Sequence, residues 1–148
     1  MKVDGQDVNI TLLDGGMGRE LLRLGAPFRQ PEWSALALME APEIVRKAHQ
    51  NFAEAGCDIL TTSNYAVVPF HLGEERFAAR GAHLTAVAGQ IAREVAAKSH
   101  CKVAGSLPPL FGSYRPDLFI AERAPKFLDK IIEALNPHVD FWLAETVS

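Results

Sequence analysis

Short apolar runs alternate with longer amphipathic stretches along this chain. The runs lie at residues 10–13, 57–60, 102–104 and 141–143, and each has the length and composition of a buried strand. Every run ends in small or polar residues, so polar groups collect at the same end of each predicted strand. The runs recur about every 40 to 47 residues, with helical stretches between them. This alternation is typical of βαβ crossovers in a parallel sheet.

The stretches between the runs carry start and stop signals for helices. Predicted helices cover residues 19–24, 41–56, 74–98 (as one helix or two) and 125–135. Pro42 and Glu43 suit the first turn of the second helix, and Gly56 suits its end. Predicted loops surround Pro27 and Pro31 and cover 69–73 and 105–116, and the last is long enough to help build a site.

The pattern predicts an α/β fold in which parallel βα units form the first half of a (β/α)8 TIM-type barrel. A complete barrel of this kind typically takes about 250 residues. This chain has 148 residues, which accommodate four strands and their helices. Residues 1–148 are therefore expected to form one domain, corresponding to the amino-terminal portion of such a barrel.

Composition excludes several classes of protein. Hydrophobic residues make up 48% of the chain and the net charge is only −3, so neither a disordered chain nor a nucleic-acid-binding protein is expected. No apolar stretch approaches the roughly 18 residues of a membrane span. Two widely separated cysteines and the lack of a leader-like segment before the first strand favour a reducing, cytoplasmic location.

The end of the first predicted strand is the strongest candidate for a binding site. Asp14, Gly15 and Gly16 place a carboxylate and accessible backbone N–H groups where α/β proteins bind their ligands. Glu145 follows the fourth strand and would add a second carboxylate at the same rim. Two carboxylates could bind an ammonium group, while the glycine N–H groups bind a carboxylate. The alternative is that Asp14 only caps the following helix.

The second predicted strand runs into hydroxyl, amide and phenol side chains. Thr62, Ser63 and Asn64 either line the pocket or cap the strand, because neighbouring strand residues point to opposite sides. The histidines are scattered without metal-binding spacing and are expected on the surface or in packing. Trp33, Phe52, Phe127 and Trp142 are expected in the core.

Four motifs, in order and at matching spacing, resemble the homocysteine S-methyltransferase family. They lie at residues 14–18, 55–62, 103–109 and 144–146. The resemblance implies methyl transfer from S-adenosylmethionine, S-methylmethionine or betaine to the thiol of homocysteine, forming methionine. It also implies that Asp14, Gly15, Gly16, Thr62, Ser63, Asn64 and Glu145 bind the amino acid.

The family also implies a zinc ion, held by three cysteines, that activates the thiol. Those cysteines come from later strands of the barrel, and no such cysteines occur here. Cys57 and Cys101 precede the second and third strands, so they are expected at the end opposite the site. No metal ligand is therefore expected in this chain, which by itself is expected to be inactive.

Two further interpretations stay open at this point. The chain could be a non-catalytic half-barrel that binds an amino acid and self-associates, since its first and last strands would leave unpaired edges. A homo-oligomer is then expected, whether the chain is a short natural protein or a piece of a longer one. A different βα-barrel enzyme, such as an aldolase, is less well supported because no lysine ends a strand.

Overall fold

The computed structural model describes residues 10–146 and the strand backbone of residues 2–3 and 6–7. The strands are β1 Lys2–Val3, β2 Gln6–Asp7, β3 Ile59–Thr61, β4 Lys102–Leu107 and β5 Phe141–Ala144. The α-helices are α1 Met17–Arg23, α2 Ser34–Glu40, α3 Pro42–Glu54, α4 Pro69–Leu72, α5 Glu74–Ala96 and α6 Ala124–Leu135. Short 3-10 turns cover Pro116–Leu118 and Asn136–His138.

A parallel sheet forms the framework of the fold. β3, β4 and β5 lie side by side in chain order, and the register pairs Leu60 with Val103 and Gly105 with Trp142. Separately, β1 and β2 pair antiparallel. The predicted α/β class with a parallel sheet and connecting helices is confirmed, and the arrangement is consistent with part of a barrel.

The prediction that residues 10–13 form a regular, buried strand is wrong. Residues 10–13, the edge segment, are attached to β3 by one parallel bridge between Leu13 and Ile59. Ile10, Leu12 and Leu13 are 57%, 52% and 48% exposed. The segment has a neighbour on one side only among the described residues, which leaves its apolar side chains uncovered. Its position next to β3 nevertheless agrees with the predicted strand order.

The sequence signals predict helix α3, whereas helix α2 is not predicted by them. Pro42 occupies the first turn of α3, and Gly56, with φ of +93°, follows its end. Residues 35–38 of α2 are all buried, so they show no alternation of polar and apolar faces for a periodicity analysis to detect. Residues 69–73, predicted as a loop, contain the short helix α4.

The third predicted strand is longer than its apolar run. β4 extends through Gly105 and Ser106 to Leu107, three residues beyond the predicted end. A Cβ atom on Gly105 would lie 2.8 Å from Cε3 of Trp142. Glycine therefore serves here as a strand residue over which the neighbouring indole packs, and the long loop begins only after Leu107.

Two hydrophobic clusters hold the helices on the sheet. The larger one joins α1, α2, α3, α5 and α6, with Leu21, Phe77 and Ile131 among its most buried members. The smaller one lies between α5 and the sheet and contains both cysteines, whose Sγ atoms are 3.9 Å apart. Cys57 and Cys101 are buried before β3 and β4, at the amino ends of these strands. None of the helices described is both long and apolar enough to cross a membrane.

His49 is a buried packing residue on α3 rather than a surface group. Its side chain is fully buried, and neither ring nitrogen has a hydrogen-bond partner among the described residues. Burial, together with the nearby charge of Arg46, lowers its pKa from 6.5 to about 4. The imidazole is therefore neutral in the folded protein at neutral pH.

Replacing His49 is expected to change how stability depends on pH. Between pH 6.5 and 4 the unfolded chain binds a proton at this histidine and the folded chain does not, so the wild type loses stability on acidification. A shift of this size corresponds to about 3 kcal/mol. Relative to His49→Leu, the wild type should lose about that much between pH 7 and pH 4, measured by urea unfolding. The exposed-site control His83→Gln should follow the wild type, and a pH-independent difference for His49→Leu would contradict the account.

Candidate active site

A cavity of about 750 Å3 opens at the carboxyl ends of the parallel strands. Its walls combine the end of the edge segment, the ends of β3 and β5, and the loops that follow them. The sequence-predicted site residues that line it are Asp14, Gly15, Gly16, Thr62, Ser63 and Glu145. Both carboxylates therefore face one cavity, as their positions after parallel strands predict.

Asp14 binds the neighbouring strand rather than the helix that follows it. Its Oδ2 accepts a hydrogen bond from the backbone N–H of Thr61 at 2.8 Å, and its Oδ1 accepts one from the Thr61 hydroxyl at 2.9 Å. Helix α1 begins after Gly16 and receives no side-chain cap. The alternative in which Asp14 caps this helix is therefore wrong.

Asp14 is held in a setting that disfavours its charge. Burial raises its pKa from 3.8 to about 6, and the nearby Glu145 carboxylate adds to the shift. The two hydrogen bonds from Thr61 act in the opposite direction and are outweighed. A positive charge brought into the cavity would therefore be attracted strongly.

Glu145 is anchored to the middle strand of the sheet. Its Oε1 accepts a hydrogen bond from the Ser106 hydroxyl, and its backbone N–H donates to the carbonyl of Leu107 at 3.3 Å. Burial raises the pKa of its carboxyl above the ordinary value, against the effect of the Ser106 bond. The cavity thus holds two carboxyls whose ionisation is suppressed.

Thr62 and Asn64 belong to a buried network between β3 and β4. The Thr62 hydroxyl donates to Asn64 Oδ1 at 2.6 Å and accepts from the backbone N–H of Ser106 at 2.9 Å. Asn64 Nδ2 donates to the Ser106 carbonyl at 3.1 Å. Asn64 is fully buried and does not line the cavity, whereas Thr62 does. A binding role for either residue stays a prediction.

Ser63 offers a polar group that nothing in the described structure uses. Its side chain is only 5% exposed and lines the cavity, and its Oγ has no hydrogen-bond partner among the described residues. Burying a hydroxyl without a partner is unfavourable by roughly 1–3 kcal/mol. A ligand that bonds to this hydroxyl would remove that penalty.

Gly15 allows the chain to turn closely past α3 at the cavity. A Cβ atom at this position would lie 2.8 Å from Cε1 of Phe52, so a larger residue would displace the ring. Gly16 occupies the N-cap position of α1, and both glycines line the cavity. Their backbone therefore lies within reach of a ligand, as the glycine pair predicts.

An aromatic wall was not identified from the sequence. It consists of the cavity-lining rings of Phe28, Trp33, Tyr65, Phe70 and His71. Trp33 packs edge-on against Phe28 with ring centroids 5.5 Å apart, and Phe70 packs in the same way against His71 at 5.0 Å. The core prediction for Trp33 is wrong, since this residue is 38% exposed, and Trp142 at 37% likewise departs from it. The only available signal was the position of Trp33 in the proline-flanked loop.

The described residues do not fit a metal centre. No group of three or more histidine, cysteine, aspartate or glutamate side chains converges within the described part of the chain. Cys57 and Cys101 lie at the opposite end of the strands from Asp14 and Glu145. The zinc that the motif resemblance implies therefore finds no ligand set among these residues.

Comparison with known proteins identifies the family. The family model described as homocysteine S-methyltransferase matches residues 11–148. The chain belongs to the homocysteine S-methyltransferase family.

Among its relatives in that family is homocysteine S-methyltransferase 3 of Zea mays, which is 43% identical over 54 residues, covering 36% of this chain and 16% of the relative. Homocysteine S-methyltransferase 1 of Arabidopsis thaliana is 41% identical over 59 residues, 39% of this chain and 18% of the relative. The metallated homocysteine methyltransferase MmuM of Escherichia coli superposes with a TM-score of 0.78 and 31% identity, covering 97% of this chain and 55% of that protein. This member of the homocysteine S-methyltransferase family thus spans about half the length of its solved relative.

The raised pKa of Asp14 predicts a stability difference that depends on pH. Because the folded carboxyl holds its proton up to about pH 6, its contribution is fully present below pH 4 and is lost as the pH rises through 6. Asp14→Asn removes this titration. The amide oxygen of the asparagine can still accept from the Thr61 backbone N–H, and its NH2 group can donate to the Thr61 hydroxyl oxygen, so both contacts can remain. From pH 4 to pH 7 the wild type should therefore lose roughly 1–3 kcal/mol relative to the variant, measured by urea unfolding.

The exposed Asp129 on α6 provides a matched control for this measurement. Asp129→Asn should track the wild type across the same pH range. A constant difference between wild type and Asp14→Asn would show that the carboxyl is not held in its protonated form.

Proposed function

We propose that this chain binds the amino-acid part of homocysteine for methyl transfer from a sulfonium or ammonium donor to its thiol, with methionine as the product. The observation that carries the proposal is the pair of half-buried carboxyls, Asp14 and Glu145, that face one cavity. Membership of the homocysteine S-methyltransferase family supports the choice of substrate. We also propose a cytoplasmic location for the protein.

The α-ammonium of homocysteine is the natural partner of the two carboxyls. Both have raised pKa values because burial and, for Asp14, mutual repulsion disfavour their negative charge. A cation between them would compensate this charge and release their protons. Binding of the zwitterionic amino acid should therefore strengthen as the pH rises from 5 to 7.

The carboxylate of homocysteine would be bound by neutral donors. Gly15 and Gly16 bring backbone to the cavity, and the Ser63 hydroxyl is without a partner among the described residues. Neutral donors suit an anion here, because a buried cation in their place would pair with Asp14 or Glu145 instead. The two charged ends of the amino acid would thus be recognised by different elements.

In the reaction itself, the thiol sulfur forms a bond to the methyl carbon as the donor's carbon–sulfur or carbon–nitrogen bond breaks. The leaving atom keeps the bonding electron pair, and the thiol gives up its proton. A free thiol is mostly protonated near neutral pH and is a weak nucleophile, so the family's reaction calls for activation of this sulfur. The described residues offer no ligand set for a metal, and we assign no step of this chain to one.

The aromatic wall is suited to a methyl donor that carries a positive charge. Trp33, Tyr65 and Phe70 present rings to the cavity, and aromatic faces attract sulfonium and quaternary ammonium groups by roughly 0.5–2 kcal/mol each. S-methylmethionine, S-adenosylmethionine and betaine share this charge. The wall therefore supports the donor class without selecting one member.

Calorimetric titration with L-homocysteine tests the proposed substrate. Glu145→Gln keeps the size and a hydrogen-bond partner for Ser106 but removes the charge, so the dissociation constant should rise about tenfold or more at pH 7. The exposed control Glu133→Gln on α6 should bind as the wild type does. Parallel titrations with zinc and a methyl-transfer assay separate binding from turnover. Equal binding by Glu145→Gln and wild type would refute the substrate assignment.

A second candidate function is a non-catalytic, self-associating half-barrel that binds an amino acid. It is favoured by apolar groups at both lateral edges of the sheet: Leu12 and Leu13 on one side, Phe141 and Trp142 on the other, all at least 36% exposed. Exposed strand edges with apolar side chains promote association. In this arrangement the edges of two copies would cover one another.

Sedimentation of this chain distinguishes the two candidates. Self-association predicts a dimer or larger assembly that Leu12→Lys dissociates, because burying the lysine ammonium group in an apolar interface is unfavourable. Leu22→Lys, at a residue that is 56% exposed on α1, is the matched control and should leave the assembly intact. A monodisperse monomer of the wild type would contradict self-association while leaving homocysteine binding open.

A further inference from the structure

The hydroxyl of Tyr65 is held by a residue from a different βα unit. Tyr65 follows β3 by four residues and lines the cavity, and its hydroxyl oxygen lies 2.6 Å from the Oγ of Ser113. Ser113 also lines the cavity and belongs to the loop after β4. This hydrogen bond therefore joins two neighbouring loops at the wall of the proposed substrate site.

The backbone around Ser113 adopts conformations that its sequence does not favour. Gly112 has φ of +136°, which glycine tolerates, but Tyr114 has φ of +60°. A left-handed conformation at a residue other than glycine is unfavourable by roughly 1 kcal/mol or more. The Tyr114 side chain is 82% exposed, so its own burial does not compensate. Contacts made by the neighbouring residues, Ser113 among them, must hold this turn.

Gly112 gives the same loop a second contact with the aromatic wall. It is buried, and a Cβ atom at this position would lie 3.3 Å from Cε2 of Phe70. The loop thus packs against Phe70 through Gly112 and bonds to Tyr65 through Ser113. Both contacts are with rings that line the cavity.

We propose that Ser113 is a positioning residue that fixes the Tyr65 phenol in the wall of the site and thereby couples the loop after β4 to substrate binding. A phenol has one hydrogen to donate and can also accept hydrogen bonds, so pairing with Ser113 leaves it capacity toward a ligand. The identity of that ligand as homocysteine rests on the proposed function. The Tyr65–Ser113 contact in the free protein is independent of the proposed function.

Fluorine NMR of the protein labelled with 3-fluorotyrosine tests the contact. The chain has two tyrosines, and Tyr114→Phe assigns the remaining signal to Tyr65. Ser113→Ala should move the Tyr65 signal, while Ser113→Thr, which keeps a hydroxyl, should restore it. An unmoved Tyr65 signal in Ser113→Ala would overturn the proposal whatever the ligand is.

Titration with L-homocysteine tests the coupling. Loss of one hydrogen bond that orients a wall residue should raise the dissociation constant about fivefold in Ser113→Ala. Ser113→Thr and Tyr114→Phe should bind as the wild type does. Unchanged affinity in Ser113→Ala would refute the coupling. Failure of the wild type itself to bind homocysteine would refute the proposed function and the coupling to this ligand, while the NMR result would still decide whether Ser113 positions Tyr65.

Discussion

The clamp between Asp14 and Thr61 is the interaction on which the candidate site depends. The edge segment has a single bridge to β3, and just beyond it one carboxylate binds both the backbone N–H and the hydroxyl of Thr61. Together with the hydrogen bond that the Asp14 backbone N–H donates to the Ile59 carbonyl at 3.0 Å, this clamp holds the edge segment against β3 at its carboxyl end. The same carboxylate also lines the cavity. One group therefore both holds the edge segment to β3 and presents a charge to a ligand.

The use of acids to join neighbouring strands recurs at the other end of the sheet. Asp58, just before β3, accepts a hydrogen bond from the N–H of Leu12 at 2.8 Å, and Asp140, just before β5, accepts one from the N–H of Val103 at 2.7 Å. Asp140 is exposed, and the pKa of its carboxyl is lowered because Val103 and Arg93 stabilise its charge. Similar bonds therefore coexist with opposite pKa shifts. Burial in the cavity accounts for the difference at Asp14.

Parts of this arrangement follow from sequence because they depend on local chemistry. A strand ending in Asp14 and a later strand ending in Glu145 must bring both acids to one edge if the strands are parallel, and they face the same cavity. The bounds of α3 follow similarly from Pro42 and Gly56.

Other parts of the structure depend on tertiary contacts that no local sequence pattern records. Helix α2 is buried on all sides in 35–38, and Trp33 forms a cavity wall instead of a core contact. Within the described part of the chain, the edge segment has a neighbour on one side only. Likewise, Ser63 and Asn64 are adjacent polar residues, and only the backbone decides that Asn64 joins the internal network while Ser63 faces the cavity.

Burial disfavours the negative charge of the Asp14 carboxyl until a cation binds beside it. The titration of this carboxyl tests the account most directly. Carbon-13 NMR of the Asp14 side-chain carboxyl, assigned through Asp14→Asn, should give a midpoint near pH 6 in the free protein. Saturating L-homocysteine should move that midpoint to clearly lower pH, because the bound ammonium stabilises the carboxylate. A midpoint near 4 in the free protein, or one that homocysteine leaves unchanged, would contradict the account.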